Sequence, residues 1–188
     1  MYERALAGYE KVHGPEHPST LNTVNNLGNL YRDQGRLGDA EAMYNRALAS
    51  REKVHGPEHP STLNTVNNLG VLYRGQGRLG DAEAMYERAL AGYEKVHGPE
   101  HPSTLNTVNN LGVLYRGQGR LGDAEAMYER ALAGYEKAFG PEHPSTLITV
   151  NNLRSLYEDQ GRLADTELML ERASRKQEEG EGLENQVT

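Results

Sequence analysis

Cysteine and tryptophan are both missing from this sequence of 188 residues. The lack of cysteine excludes disulfides, thiolate metal sites and cysteine nucleophiles, and it suits a reducing compartment. A zinc site would therefore have to be built from histidine and carboxylate ligands alone.

Long apolar runs and an excess of positive charge are missing as well. No window approaches the roughly eighteen apolar residues that a membrane-spanning helix needs, and the start MYERALAGYE lacks the basic and apolar regions of a secretory leader. The net charge of −7 argues against general nucleic-acid binding, because that binding needs a basic face. These absences predict a cytoplasmic protein with neither a membrane nor a nucleic-acid partner.

An internal repeat of 42 residues is the dominant feature of the sequence. The segments 62–103 and 104–145 differ at only two positions. The segment 20–61 has the same register and departs from the second copy at Asn29, Asp33, Asn45, Ser50 and Arg51. Self-similarity at such a period predicts a solenoid, in which each unit buries its apolar face against its neighbours.

The repeat register divides the chain into a half repeat, three full repeats, a divergent fourth repeat and a polar tail. Their predicted ranges are 1–19, 20–61, 62–103, 104–145, 146–176 and 177–188. The tail is expected to be disordered because it is polar and charged. A chain that starts within a repeat is also expected to be a fragment of a longer array, or an open reading frame that starts at a methionine of the repeat, and its uncapped ends are expected to promote self-association.

Each full repeat contains two stretches with the apolar spacing of amphipathic helices. In the first stretch, which we call helix A, Val24, Leu27 and Tyr31 share one face. In the second stretch, helix B, Tyr44 and Ala47 belong to a similar stripe. We therefore predict an all-α fold of nine helices, with one helix B followed by four A/B pairs.

The run V-x-x-L-G-x-x-Y from Val24 to Tyr31, followed by Ala40 and Tyr44, resembles the tetratricopeptide repeat (TPR), with Val in place of its usual Trp. The long period, the phrase NNLGVLYRGQGR and the GPEHP link resemble kinesin light chain repeats. The link GPEHPSTL in near-identical copies is also similar to repeats of fungal STAND or NLR-like receptors. The resemblance extends from the start to about Arg172 and implies a right-handed α-solenoid of antiparallel helix pairs, the TPR superhelix.

The recurrent link HGPEH, which first occurs from His13 to His17, also fits the H-x-x-E-H signature of zinc peptidases. That signature needs one continuous helix so that both imidazoles reach the same ion, and Gly14 and Pro15 break the helix. In the fourth copy, Phe139 replaces the first histidine. We therefore predict a link between helices, with no cofactor, no metal and no enzyme activity. A metal-dependent hydrolase is the alternative that bound zinc would reveal.

A stripe of asparagine and arginine runs along helix A opposite its apolar face. In TPR arrays this stripe lines the concave groove, so the resemblance implies that its residues contact a partner. The predicted peptide-binding residues are Asn22, Asn25, Asn29, Arg32, Asn64, Asn67, Val71, Arg74, Asn106, Asn109, Val113, Arg116 and Asn151. Asparagine offers a donor and an acceptor to the backbone of an extended peptide, and arginine offers a planar fork of donors to a carboxylate.

The predicted function is therefore protein binding, in which the groove binds an extended, acidic peptide. The chain would act as a cargo adaptor, a scaffold or the sensor arm of a larger STAND or NLR-like protein. The similarity to kinesin light chains implies this ligand class, because their cargo peptides are acidic and contain aromatic residues. The alternative is a structural spacer or self-assembling array without a peptide ligand, and selective binding of acidic peptides would distinguish the two.

Overall fold

The computed structural model describes residues 2–162, 164–167 and 169. Its eight bounded helices are α1 (Tyr2–His13), α2 (Pro18–Asp33), α3 (Leu37–His55), α4 (Pro60–Gly75), α5 (Leu79–His97), α6 (Pro102–Gly117), α7 (Leu121–Phe139) and α8 (Pro144–Asp159). Residues 164–167 and 169 are helical too, and no strand occurs among the described residues. The rest of the predicted ninth helix and the predicted tail at 177–188 lie outside them.

The helices form two compact units, Met1–Gly98 with α1 to α5 and Pro99–Thr188 with α6 to α8. In the first unit each helix packs against the next one along the chain, and the two A helices, α2 and α4, also contact each other. The second unit repeats this arrangement with α6, α7 and α8. The predicted all-α arrangement of repeated helix pairs is therefore confirmed within each unit. Among the described helices, none is long and apolar enough to cross a membrane.

A glycine on helix A and a tyrosine on helix B bring the two helices of a pair close together. Tyr44 and Tyr86 are fully buried in the first unit. A Cβ atom at Gly28 would lie 2.7 Å from a ring carbon of Tyr44, and one at Gly70 would lie 2.6 Å from a ring carbon of Tyr86. These distances are shorter than van der Waals contact, so the two helices pack this closely only because the residue is glycine.

The HGPEH link ends one helix and begins the next, as the sequence predicts. Helix α1 ends at His13, Gly14 has a φ of +87°, and α2 begins at Pro18. The second histidine has a further role, because Nδ1 of His17 accepts a hydrogen bond of 3.2 Å from the backbone N–H of Ser19. This bond caps the N-terminus of α2, and the other three links contain the same cap.

The first aromatic ring of the link stacks on the capping histidine. The ring centroids of Phe139 and His143 are 4.3 Å apart, close to the 4.5 Å between His13 and His17. Phenylalanine therefore preserves the contact although it has no nitrogen with which to bind a metal. Three link glutamates, Glu16, Glu58 and Glu100, each form an ion pair with a lysine of the following helix B. Ring stacking, capping and ion pairing together account for the link as a structural element.

Candidate functional site

The predicted site residues lie on the A helices of both units. We call the stripe on α2 and α4 the A-helix face of the first unit; its residues are Asn22, Asn25, Asn29, Arg32, Asn64, Asn67, Val71 and Arg74. The corresponding residues of the second unit are Asn106, Asn109, Val113 and Arg116 on α6, and Asn151 on α8. Their helical spacing keeps each set on one side of its helix.

Two asparagines of α2 bind the helix B that follows it. The Oδ1 atom of Asn22 accepts a hydrogen bond of 2.6 Å from Nη2 of Arg51. The Oδ1 atom of Asn29 accepts one of 2.6 Å from the hydroxyl of Tyr44. Both oxygens are therefore occupied by α3.

Asn25 joins the two A helices of the first unit. It is buried, and its Oδ1 atom accepts hydrogen bonds from Oγ1 of Thr65 at 3.3 Å and from Nδ2 of Asn68 at 3.4 Å. Asn67 has the same repeat position on α4 and is buried too. Although the stripe lies opposite the apolar face of helix A, Asn25 and Asn67 are therefore not exposed. For Asn25 the reason is that α4 packs against this position.

The second unit shows the same use of asparagine. The Oδ1 atom of Asn109 accepts hydrogen bonds from Thr149 at 3.4 Å and from Asn152 at 3.1 Å, which joins α6 to α8. Asn106 and Asn151 lie at exposed positions of this unit. The repeat position of Asn25 and Asn109 therefore connects neighbouring A helices in both units.

The three predicted arginines differ in their carboxylate partners. Arg32 pairs with Asp33 at 2.9 Å, and in the second unit Arg116 pairs with Asp159 at 2.6 Å and lowers the pKa of that carboxyl. Neither of these carboxylates has a counterpart for Arg74. Gly75 has the repeat position of Asp33, and Gly117 has the repeat position of Asp159. Among the described residues no carboxylate pairs with Arg74, and its Nη1 atom is buried without a hydrogen-bond acceptor.

Arg51 is a buried cation that the sequence reading did not single out. Its side chain is 3% exposed, and Nη1 donates to the carbonyl of Ser61 and to Oγ1 of Thr65, both at 2.7 Å. Burial lowers the pKa of Arg51. In the next repeat the same position is Tyr93. The one sequence signal for Arg51 is this departure from an otherwise uniform repeat.

Tyr86 on α5 is a second residue that the sequence assigned only to packing. Its side chain is fully buried, and its hydroxyl has no hydrogen-bond acceptor. The counterpart Tyr44 donates to Asn29, but in the repeat of Tyr86 that position is Val71. Burial raises the pKa of Tyr86 to about 12, although the positive charge of Arg74 opposes the shift. The hydroxyl is therefore a protonated donor in neutral solution.

Metal-binding side chains do not cluster in residues 2–162, 164–167 and 169. No three His, Cys, Asp or Glu side chains in these ranges are placed to hold one ion. The second histidine of the link, which the H-x-x-E-H pattern offers as a ligand, caps a helix through Nδ1, as His17 and His59 show. The chemistry that the A-helix face offers is hydrogen bonding by arginine and by the exposed Asn64, beside apolar contact at Val71.

Comparisons with known proteins agree with this architecture. The family model of the tetratricopeptide repeat matches residues 1–53, 25–95, 67–137 and 109–179. Among curated proteins, no sequence matches the chain significantly. The crystal structure of BtubC (BKLC) from P. vanneervenii is similar at 25% identity and a TM-score of 0.81, over 96% of this chain and 72% of that chain.

A second similar structure contains the nearly identical TPR-like repeats of a putative kinesin light chain from Podosopora anserina. It is 27% identical with a TM-score of 0.74, over 95% of this chain and 85% of that chain. The predicted resemblance to kinesin light chain-like repeats is therefore confirmed, and the relation to STAND or NLR-like receptors stays a prediction. Because the family model matches nearly the whole sequence, the chain belongs to the tetratricopeptide repeat family.

Proposed function

We propose that this chain binds an extended, acidic peptide segment along its A helices and that it has no catalytic role. Tetratricopeptide repeats generally mediate protein–protein interactions, which supports the binding role. The absence of cysteine supports a cytoplasmic setting, in which the chain serves as a cargo adaptor, a scaffold or the sensor arm of a larger STAND or NLR-like protein.

The observation that carries this proposal is that the guanidinium of Arg74 forms no ion pair with the described residues. Arg32 and Arg116 each pair with a carboxylate of the chain itself, whereas Arg74 pairs with none in the described residues. A guanidinium binds carboxylates through two parallel hydrogen bonds, and such charge-assisted bonds are about twice as strong as neutral ones. An acidic residue of a partner therefore has a free cation to bind on α4.

The exposed asparagine on the same helix supports an extended rather than a compact ligand. Asn64 is exposed and lies ten residues before Arg74, which corresponds to about 15 Å along the helix. An extended peptide covers about that distance with four to five residues. One end of such a segment reaches Arg74 while its backbone reaches the amide of Asn64. Val71 lies between them in sequence and offers apolar contact.

Peptide binding tests the proposal directly. We expect fluorescence anisotropy to show that Glu-containing peptides bind more tightly than matched peptides with Gln at the same positions. Arg74→Gln should weaken that binding about tenfold or more, because it removes the charge-assisted bonds. Arg32→Gln is the matched control and should have a smaller effect, because Asp33 already pairs with Arg32. Equal binding of the Glu and Gln peptides, or full affinity in Arg74→Gln, would reject the acidic ligand.

The exposed face of α1 supports a second candidate function, self-association of the array. Tyr9 is 40% exposed and Val12 is 72% exposed. A Cβ atom at Gly8 has no neighbour within 4 Å, whereas one at Gly92, in the same repeat position of α5, would lie 2.5 Å from Leu63. The surface of α1 around Gly8 is therefore uncovered, whereas Leu63 of α4 covers the corresponding surface of α5 around Gly92.

We propose that α8 of a second copy covers this surface of α1. Leu147 on α8 has the repeat position of Leu63 and is 41% exposed. Light scattering over a concentration series should show oligomers that Gly8→Arg abolishes. A Cβ atom at this position meets no neighbour within 4 Å, so the variant should fold normally. A strict monomer at high protein concentration would reject this candidate.

A further inference from the structure

We propose that Arg74 and Tyr86 together bind one carboxylate group of a ligand. In the preceding repeat Asn29 of the chain itself supplies the acceptor at this position. The proposal rests on the proposed function only for the source of the carboxylate, a Glu or Asp side chain of the acidic peptide. It adds Tyr86, a residue of helix B, to a site that the sequence placed on helix A alone.

In the preceding repeat the corresponding two donors are already bonded to residues of the chain. Tyr44 is fully buried, and its hydroxyl donates to Oδ1 of Asn29 at 2.6 Å. The guanidinium of Arg32 in that repeat pairs with Asp33. Both donors of the first repeat, the tyrosine hydroxyl and the arginine, therefore have an acceptor within the chain.

In the next repeat both acceptors are lost. Val71 replaces the asparagine, and Gly75 replaces the aspartate. The donors remain, because Tyr86 and Arg74 keep the positions of Tyr44 and Arg32. In this repeat the hydroxyl of Tyr86 and Nη1 of Arg74 are both buried without an acceptor. Two unsatisfied buried donors in one repeat are unfavourable and are satisfied when an acceptor enters from outside.

The packing of α4 against α5 brings the two donors to one region, because Gly70 lies against the ring of Tyr86 and Arg74 lies one helical turn after Gly70 on the same face of α4. Burial raises the pKa of Tyr86 to about 12, and the charges of Arg74 and Arg32 oppose that shift. An anion close to the hydroxyl is therefore also attracted by two guanidinium groups. Both donor atoms are buried, but Arg74 as a residue is only partly buried, so a carboxylate reaches the pair when the flexible side chain of Arg74 moves outward.

A carboxylate fits these donors better than other polar groups. An ionised carboxylate only accepts hydrogen bonds and has two oxygens, so one oxygen binds the hydroxyl while the other binds the guanidinium. An amide would bring its own donors to a position that already has an excess of them. The methylene groups of a glutamate side chain would lie against Val71, which offers apolar contact where Asn29 offers a polar group.

A small probe tests this site without depending on a particular peptide. N-acetyl-glutamate N-methylamide carries a single carboxylate, and N-acetyl-glutamine N-methylamide is its neutral match. NMR of labelled arginine Nε–Hε groups and tyrosine rings should show saturable shifts of the Arg74 and Tyr86 signals with the glutamate probe only. An unresponsive Tyr86 signal would mean that a water or nothing satisfies the hydroxyl and would overturn the proposal.

Two variants of the same site and one control sharpen the test. Tyr86→Phe removes only the hydroxyl, and Val71→Asn restores the acceptor of the preceding repeat, so each should weaken probe binding about tenfold. Tyr44→Phe is the control and should leave probe binding unchanged, because that hydroxyl already donates to Asn29. Thermal unfolding checks that every variant folds. Equal probe binding in Val71→Asn and the parent protein would also overturn the proposal.

The outcomes separate this inference from the proposed function. If acidic peptides bind with full affinity to Tyr86→Phe and to Val71→Asn, the peptide-binding function stands and the two-donor site is wrong. If the glutamate probe shifts Arg74 and Tyr86 but no acidic peptide binds more tightly than its Gln match, the site stands and the peptide-binding function is wrong.

Discussion

Replacing Arg51 by alanine is expected to lower the free energy of unfolding by about 3 kcal/mol. The guanidinium donates to three acceptors, the carbonyl of Ser61, Oγ1 of Thr65 and Oδ1 of Asn22. Because Arg51 is 3% exposed and Thr65 is fully buried, removal of the guanidinium leaves an internal space and a buried acceptor that most of the solvent does not reach. Urea unfolding followed by circular dichroism measures the effect, since the chain contains no tryptophan to report it by fluorescence.

Tyrosine at the same position is the matched control for Arg51. Tyr93 and Tyr135 occupy this position in the next two repeats. In the second unit Tyr135 forms a hydrogen bond with Asn106, which has the repeat position of Asn22. Arg51→Tyr should therefore keep the stability within about 1 kcal/mol of the parent, because one hydrogen bond and the buried volume are retained. An alanine variant as stable as the tyrosine variant would contradict the structural role of the guanidinium.

Replacing Gly70 by alanine is expected to destabilise the protein by about 1–3 kcal/mol. The added Cβ would lie 2.6 Å from Cε1 of Tyr86, and that ring is fully buried. Helix propensity alone favours alanine over glycine by about 1 kcal/mol, so the expected result has the opposite sign to the local preference of the backbone. Denaturant midpoints of the parent and the variant measure the difference.

Gly75 provides the control for this prediction on the same helix. A Cβ atom there has no neighbour within 4 Å, so Gly75→Ala should be neutral or slightly stabilising. Tyr86→Leu in the Gly70→Ala background should recover part of the lost stability, because it removes the ring carbons that the methyl group contacts. If Gly70→Ala and Gly75→Ala have the same effect, close helix approach does not require glycine at position 70.

Most of the fold can be predicted from local sequence patterns. The apolar spacing places Val24, Leu27 and Tyr31 on the buried side of α2, and all three are buried. The Gly-Pro pair of the link predicts the break between α1 and α2. These features depend on a helix and its immediate partner, so a single repeat contains the information that determines them.

The candidate site depends on contacts that periodicity does not describe. Helical spacing shows that Asn25 lies away from the apolar face of its own helix, but it does not show that Thr65 of the next A helix lies within hydrogen-bond distance. The replacement of Asn29 by Val71 is visible as a departure from the repeat. Its consequence for Tyr86 is not visible, because the partner of Asn29 is fifteen residues away on another helix.

The ion pairs of the link affect which changes in the number of repeats such an array tolerates. Glu16 with Lys53 in the first unit, and Glu100 with Lys137 in the second, each join residues 37 positions apart. Recombination between near-identical copies adds or removes whole periods of 42 residues and so reconnects a glutamate with a lysine at the same separation. The number of repeats can therefore change in one genetic event while these pairs keep their separation, whereas an insertion of another length between a glutamate and its lysine would change that separation.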